Sequence, residues 1–164
     1  MIPESYAKHR LPTTVQHEKI HLLQKKHPEL WEVWYEQLWK YKLHDAPPAG
    51  MPNLLLTRRR NNPDTDGKPW SCWRDRYWSV ACFTTENPQS LNDATTYWWD
   101  AETGATTIEP PPEWSEFFGL PAQDEHPHEI AAQMIANKTG NKNRIQELTT
   151  LYENHFHIQK KDPK

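Results

Sequence analysis

Three arginines in a row, Arg58, Arg59 and Arg60, make the sharpest concentration of charge in the chain. Guanidinium forks grip carboxylates and phosphates, so the cluster is an expected contact for acidic side chains or anionic lipid headgroups. Asp64 and Asp66 follow in a loop rich in Asn, Pro and Gly. They lack the further oxygen ligands of a calcium loop. Cys72 and Cys82 have nine residues between them, a spacing that cannot close a bridge within one straight helix. They are expected as reduced, partly buried thiols. The nine histidines are scattered, and no second close pair of Cys or His completes a zinc set, so no metal or cofactor is expected. His155 and His157 form a His-x-His beside a polar tail. Neither a Gly-rich phosphate loop nor a nucleophile elbow is present, and no enzyme is expected.

Composition narrows the class further. The chain has 164 residues, a hydrophobic share of 35% and nine tryptophans, with a mean hydropathy of −1.00. Low hydropathy alone suggests partial disorder. Nine tryptophans argue the other way, because each buries about 200 Å² when packed. Few aliphatics beside many aromatics is the balance of a surface that packs on a partner, so an obligate subunit of a larger assembly is expected. A net charge of −3 argues against a nucleic-acid binder. No apolar run approaches the ~20 residues of a membrane span, and residues 1–10 contain no secretory h-region.

Several elements must position these groups. Residues 1–13 read as an extended arm and 14–42 as a helical pair. The second helix, Pro28 to Lys42, carries Leu30, Trp31, Trp34, Leu38 and Tyr41 at helical spacing. Tyr35 and Trp39 form a second aromatic face, which implies a second partner. Residues 43–69 read as an irregular loop, 113–126 as a connector, 127–158 as a C-terminal helical pair and 159–164 as a tail. Trp31, Trp34, Tyr35, Trp39, Trp114, Phe117 and Phe118 are the expected interface anchors.

Residues 70–112 form the β region, with strands expected at Tyr77 to Thr85, Thr95 to Trp99 and Ala105 to Ile108. The run from Thr96 to Pro112, T-Y-W-W-D-A-E-T-G-A-T-T-I-E-P-P-P, resembles the last two strands of a WW domain. That resemblance implies a three-stranded sheet with a buckle of Trp78, Trp98 and Pro111. It also implies a ligand groove at Tyr97. There Ile108 replaces the tryptophan that would clamp a polyproline ligand.

The expected fold is therefore α+β, a small three-stranded antiparallel WW-like sheet flanked by helical hairpins and extended arms. The chain's style resembles the supernumerary subunits of euglenozoan and other protist mitochondrial complexes. That resemblance implies a non-catalytic accessory subunit of a respiratory complex or ATP synthase. It would lie peripheral to the mitochondrial inner membrane and scaffold neighbouring protein subunits. A WW-like adaptor and a peripheral mitoribosomal protein are the alternatives.

Overall fold

The structure, a computed structural model, describes residues 4–119 and 123–156, with side chains from residue 12 onward. The expected tail at 159–164 and His157 lie outside those residues. A long helix α1, Glu4–Lys26, comes first and runs through Pro12. Most of the expected extended arm is thus helical. A proline inside a helix removes a hydrogen bond and costs about 3 kcal/mol. The packing of α1 along a later helix, α5 (Pro127–Asn137), counters that cost.

Helix α2, Pro28–Trp34, begins with proline at its first turn, where no N–H is needed. It continues as a π turn, Tyr35–Trp39, and stops at Lys40 in the left-handed region (φ 61°). In a π turn the hydrogen bonds run i→i+5, and side chains four apart come nearly into line. Tyr35 and Trp39 accordingly stack, with ring centroids 5.5 Å apart and planes 19° apart. The turn ends the expected helix early and releases Tyr41 and Lys42 into a strand.

That strand is β1, Tyr41–His44. A short helix α3, Asn53–Thr57, and a 3-10 turn, Pro63–Thr65, follow. Then come β2 (Trp70–Trp73), β3 (Tyr77–Phe83), β4 (Ala94–Asp100) and β5 (Thr106–Thr107). The five strands form one open antiparallel sheet in the order β1-β2-β3-β4-β5. This overturns the three-stranded WW-like unit. The segments expected as strands pair as β3, β4 and β5, but two further strands extend the sheet. Helix α4 (Pro112–Phe118), then α5 and α6 (Lys142–His155), complete the chain.

The sheet has two covered faces, and strand alternation sorts the tryptophans between them. Ser79 pairs with Trp98, and Trp78 with Trp99. Trp98 therefore points to the helical face and Trp78 to the opposite one. Trp98 packs on Trp114, 5.0 Å between centroids, within a core shared with Ile20, Tyr41, Trp73, Phe118, Ile130 and Leu148. Trp78 packs with Met51, Leu55, Trp70, Cys72, Val80, Cys82 and Trp99 under α3. A single buckle of Trp78, Trp98 and Pro111 cannot form across a sheet. Pro111 does line a hollow beside Tyr77 and Trp98. Tyr97 borders the second cluster, and Ile108 lies beyond β5, 60% exposed.

The aromatics expected as anchors for neighbours fill this chain's own core. Trp31, Trp34, Tyr35, Trp39, Trp114 and Phe118 are buried, and Phe117 is packed against them. Two donors tie rings to main chain and hydroxyl. Trp73 Nε1–H donates to the Trp39 carbonyl at 2.8 Å, and Trp114 Nε1–H donates to the Tyr41 hydroxyl at 2.8 Å. At the far side the loops meet closely. A Cβ on Gly140 (φ +112°) would stand 2.9 Å from the Phe118 carbonyl oxygen.

Trp114 is thus both filler and donor. Trp114→Phe keeps most of the volume but removes the donor to Tyr41, and should lower unfolding free energy by about 1–3 kcal/mol. Trp114→Ala also opens a cavity and should cost about 3–5 kcal/mol. Denaturant unfolding midpoints of the three proteins check the ordering.

Candidate metal centre

Residues four apart on a helix share one face. On α1 those residues are His17 and His21, within the run His17-Glu18-Lys19-Ile20-His21. Helix α5 starts at Pro127 behind an N-cap His126, whose Nδ1 accepts from the His128 N–H at 3.1 Å. This start puts Glu129 in the first turn of α5, against the His17–His21 face of α1.

The three side chains converge on one point. His17 Nε2 and His21 Nε2 stand 2.9 Å apart. Glu129 Oε2 is 3.3 Å from the first and 3.4 Å from the second. Ligand atoms bound at ~2.0–2.1 Å around a tetrahedral ion stand roughly 3.3 Å apart. The triangle has the dimensions of one face of such a coordination shell. His21 and Glu129 are almost fully buried, and His17 is 19% exposed. Among the described residues this is the one group of His, Cys, Asp or Glu with ligand atoms so gathered.

A chain of hydrogen bonds fixes which nitrogen of His21 faces the cluster. Gln24 donates from Nε2 to the Tyr35 hydroxyl at 3.0 Å and to the His128 carbonyl at 2.9 Å. Its Oε1 must therefore accept, and it does so from His21 Nδ1–H at 2.8 Å. Tyr35 in turn donates to His128 Nδ1 at 2.9 Å. With its proton on Nδ1, a neutral His21 turns a bare Nε2 lone pair toward His17 and Glu129. Lone pairs and a carboxylate at these distances repel unless something positive lies between them. A proton, giving an imidazolium, satisfies the geometry; so does a metal cation. Outer partners of this kind set the tautomer and direction of metal-ligating histidines.

Glu129 is oriented from its other oxygen, Oε1, which accepts from Asn62 Nδ2 at 2.8 Å. Asn62 also donates to Glu125 at 3.0 Å and accepts from the Asp64 N–H at 3.0 Å, so its amide is fixed. Burial pushes the Glu129 carboxyl up, but the hydrogen bond and charge of His21, with Asn62 and His17, outweigh it and hold the group at about 2. Burial pulls His21 down, yet bonding to Glu129 and Gln24 leaves it raised.

Arg60 borders this centre, and two of the three arginines find anions inside the chain. The segment carrying them pairs with β3: Arg60 N–H donates to the Ala81 carbonyl at 2.7 Å, and Phe83 N–H to the Arg58 carbonyl at 2.9 Å. Strand alternation then splits the three. Arg60 grips Glu125 through two bonds of 2.7 and 2.6 Å. Arg58 meets Glu86 at 3.1 Å. Arg59 lies over the Trp70 ring, 5.0 Å from its centroid. Cys72 and Cys82 are free and buried on β2 and β3, and burial lifts their thiols to about 12 and about 11. Neither joins the cluster.

An open cleft gives access. His17, Glu18, His21, Arg60, Asn62, Leu91, Gln123, Glu125 and Glu129 line it. Reading the histidines as scattered missed this centre. The signal was present as H-E-x-x-H at residues 17–21, a pattern that on a helix sets two imidazoles on one face with a carboxylate beside them.

The polar network makes stability pH-dependent. His126 donates from Nε2 to the Lys68 carbonyl at 3.1 Å; burial depresses it to about 4, against the pull of that bond. His128 is lowered as well, by burial first. An imidazole depressed on folding takes its proton first in the unfolded chain, so stability falls as pH drops from 6.5 toward 4. His21, raised by its partners, works the other way: its stabilisation is fully present below the unfolded imidazole's range and is lost as pH rises. His126 alone accounts for on the order of 3 kcal/mol of the loss. His126→Asn, which keeps a capping acceptor, should flatten the profile. Unfolding free energies of both proteins between pH 7 and 4 check this.

Comparison with known proteins gives no match: no family model fits the chain, and no curated protein or solved structure is similar to it. What the centre does has to be read from its own geometry.

Proposed function

We propose that this chain is a zinc-dependent hydrolase, its ion held by His17, His21 and Glu129. The observation that carries the proposal is the triangle of two Nε2 atoms and one carboxylate oxygen, with edges of 2.9, 3.3 and 3.4 Å. Two imidazoles and a carboxylate suit zinc in donor type as well as in spacing. Structural zinc sites are closed by four protein ligands, whereas hydrolytic ones have three and leave a position for water. Here three ligands meet at an open cleft. Zinc held this way lowers the pKa of a bound water to about 7 and polarises a carbonyl.

The chain's own residues provide the rest. Gln24 holds the proton of His21 on Nδ1 and so presents Nε2. Asn62 holds Glu129 by Oε1 and leaves Oε2 facing the histidines. A scaffold role in a mitochondrial or ribosomal assembly has no single contact here in its favour. The aromatic anchors that suggested it line the chain's own core.

Purified full-length chain should bind one zinc ion, measured by mass spectrometric metal analysis and by competition with a chromophoric chelator. His17→Ala, His21→Ala and Glu129→Ala should each abolish stoichiometric binding. Gln24→Leu and Asn62→Leu, which disturb only outer partners, should weaken it about 10- to 100-fold. Binding should also weaken on acidification, because the imidazoles must be unprotonated. Wild-type chain that folds but takes up no zinc at pH 7.5 would overturn the proposal.

A further inference from the structure

We infer that Glu18 is the proton-transferring residue of this centre and that the substrate is an uncharged amide, a peptide bond. The inference rests on the zinc reading above and deepens it. Glu18 follows His17 directly on α1 and lines the same cleft as His17, His21 and Glu129. The other acids of that cleft are engaged: Asp64 with Lys25 at 2.9 Å, Glu125 with Arg60, and Glu129 with the histidines. Glu18 alone has no hydrogen-bond or ion-pair partner among the described residues, and its side chain is exposed to the cleft. A free carboxylate in the cleft that the three ligands share can accept a proton from water there.

Charge selects the substrate class. Four acids, Glu18, Asp64, Glu125 and Glu129, line the cleft, and its one arginine, Arg60, is already held by both oxygens of Glu125. No guanidinium is left to receive a phosphate or carboxylate, and the four carboxylates still outweigh Arg60 and the two charges of a zinc ion, which disfavours anionic substrates. Neutral acyl groups meet no such barrier. The leaving group points to an amide, because a departing amine must be protonated and Glu18 can return the proton it took. The rim agrees: Gln123 offers a side-chain amide, Asn61 offers its Nδ2 while its Oδ1 accepts from Arg59 at 2.6 Å, and Leu91 offers an apolar surface, 67% exposed. Those groups suit main-chain amides and an apolar side chain.

The step balances without a further reagent. Water adds to the carbonyl carbon, forming a C–O bond, as one of its protons passes to Glu18. The C–N bond breaks as Glu18 gives that proton to nitrogen. The new carboxylic acid then ionises, and the amine takes up its proton. One water is consumed, and the products are a carboxylate and an ammonium.

The zinc-loaded full chain should cleave members of a quenched-fluorescent peptide library. In water enriched in oxygen-18, one labelled oxygen should enter each new carboxyl terminus. Glu18→Gln should bind zinc as the wild type does, while its cleavage rate falls about 10²- to 10⁴-fold. Failure of the wild type to bind zinc overturns the zinc reading itself. Stoichiometric zinc with no cleavage of the peptide library overturns this inference alone, as does a Glu18→Gln chain that cleaves at the wild-type rate. Faster turnover of a phosphodiester than of any peptide would overturn the substrate class.

Discussion

A carboxylate taken out of water demands positive charge or hydrogen-bond donors around it, and Glu129 is such a carboxylate, with only 6% of its side chain exposed. An isolated buried charge costs far more than a domain's whole margin of stability. The remedy comes from three parts of the chain. Helix α1 brings His17 and His21, the segment after the arginines brings Asn62, and α5 carries Glu129 itself. Because Arg60, two residues before Asn62, is pinned to β3 by its main chain, the same carboxylate connects the sheet to the helical layer. Remove it, and the faces of α1 and α5 that meet here lose their reason to be polar.

The positive charge that Glu129 requires can be supplied in two ways. With a proton, His21 is an imidazolium beside a carboxylate. With a metal ion, both imidazoles are neutral and the cation supplies the charge. Gln24 takes the Nδ1 proton and Asn62 takes the far oxygen, bonds that either positive partner would leave in place. Such a site is preorganised: its ligands need not move far to exchange one positive partner for the other. The outer network extends that rigidity to Tyr35 and His128, so the π turn of α2 belongs to the support of the centre.

Much of the helical content was legible in the sequence, and much of the sheet was not. Pro127 and Asn141 announce the starts of α5 and α6 through ordinary N-terminal chemistry, and the strand segments at Tyr77, Thr95 and Ala105 carry β-forming residues. Strands β1 and β2 were hidden for different reasons. Tyr41 continues a helical stripe of aromatics, and only the left-handed Lys40 breaks it. Trp70–Trp73 is buried at every position, so it lacks the alternation that marks a strand with one wet face. The tryptophans misled in another way. A chain poor in aliphatics resembles an interface, yet here rings simply do the packing that Leu and Val do elsewhere. The metal centre was half legible. H-E-x-x-H stands in one helix turn, but the helix that completes it lies more than a hundred residues downstream, as the Gln24–His128 separation of 104 shows. No local pattern joins the two.

That separation has a consequence for the life of the molecule. Contacts between distant parts of a chain close late in folding, after local helices and hairpins have formed. Two ligands emerge early from the ribosome and the third only after the sheet has been synthesised. A nascent or nicked polypeptide thus carries a pair of imidazoles and no third donor. The centre is complete only when α5 has packed back on α1, which ties its chemistry to the folded molecule and spares the unfolded one.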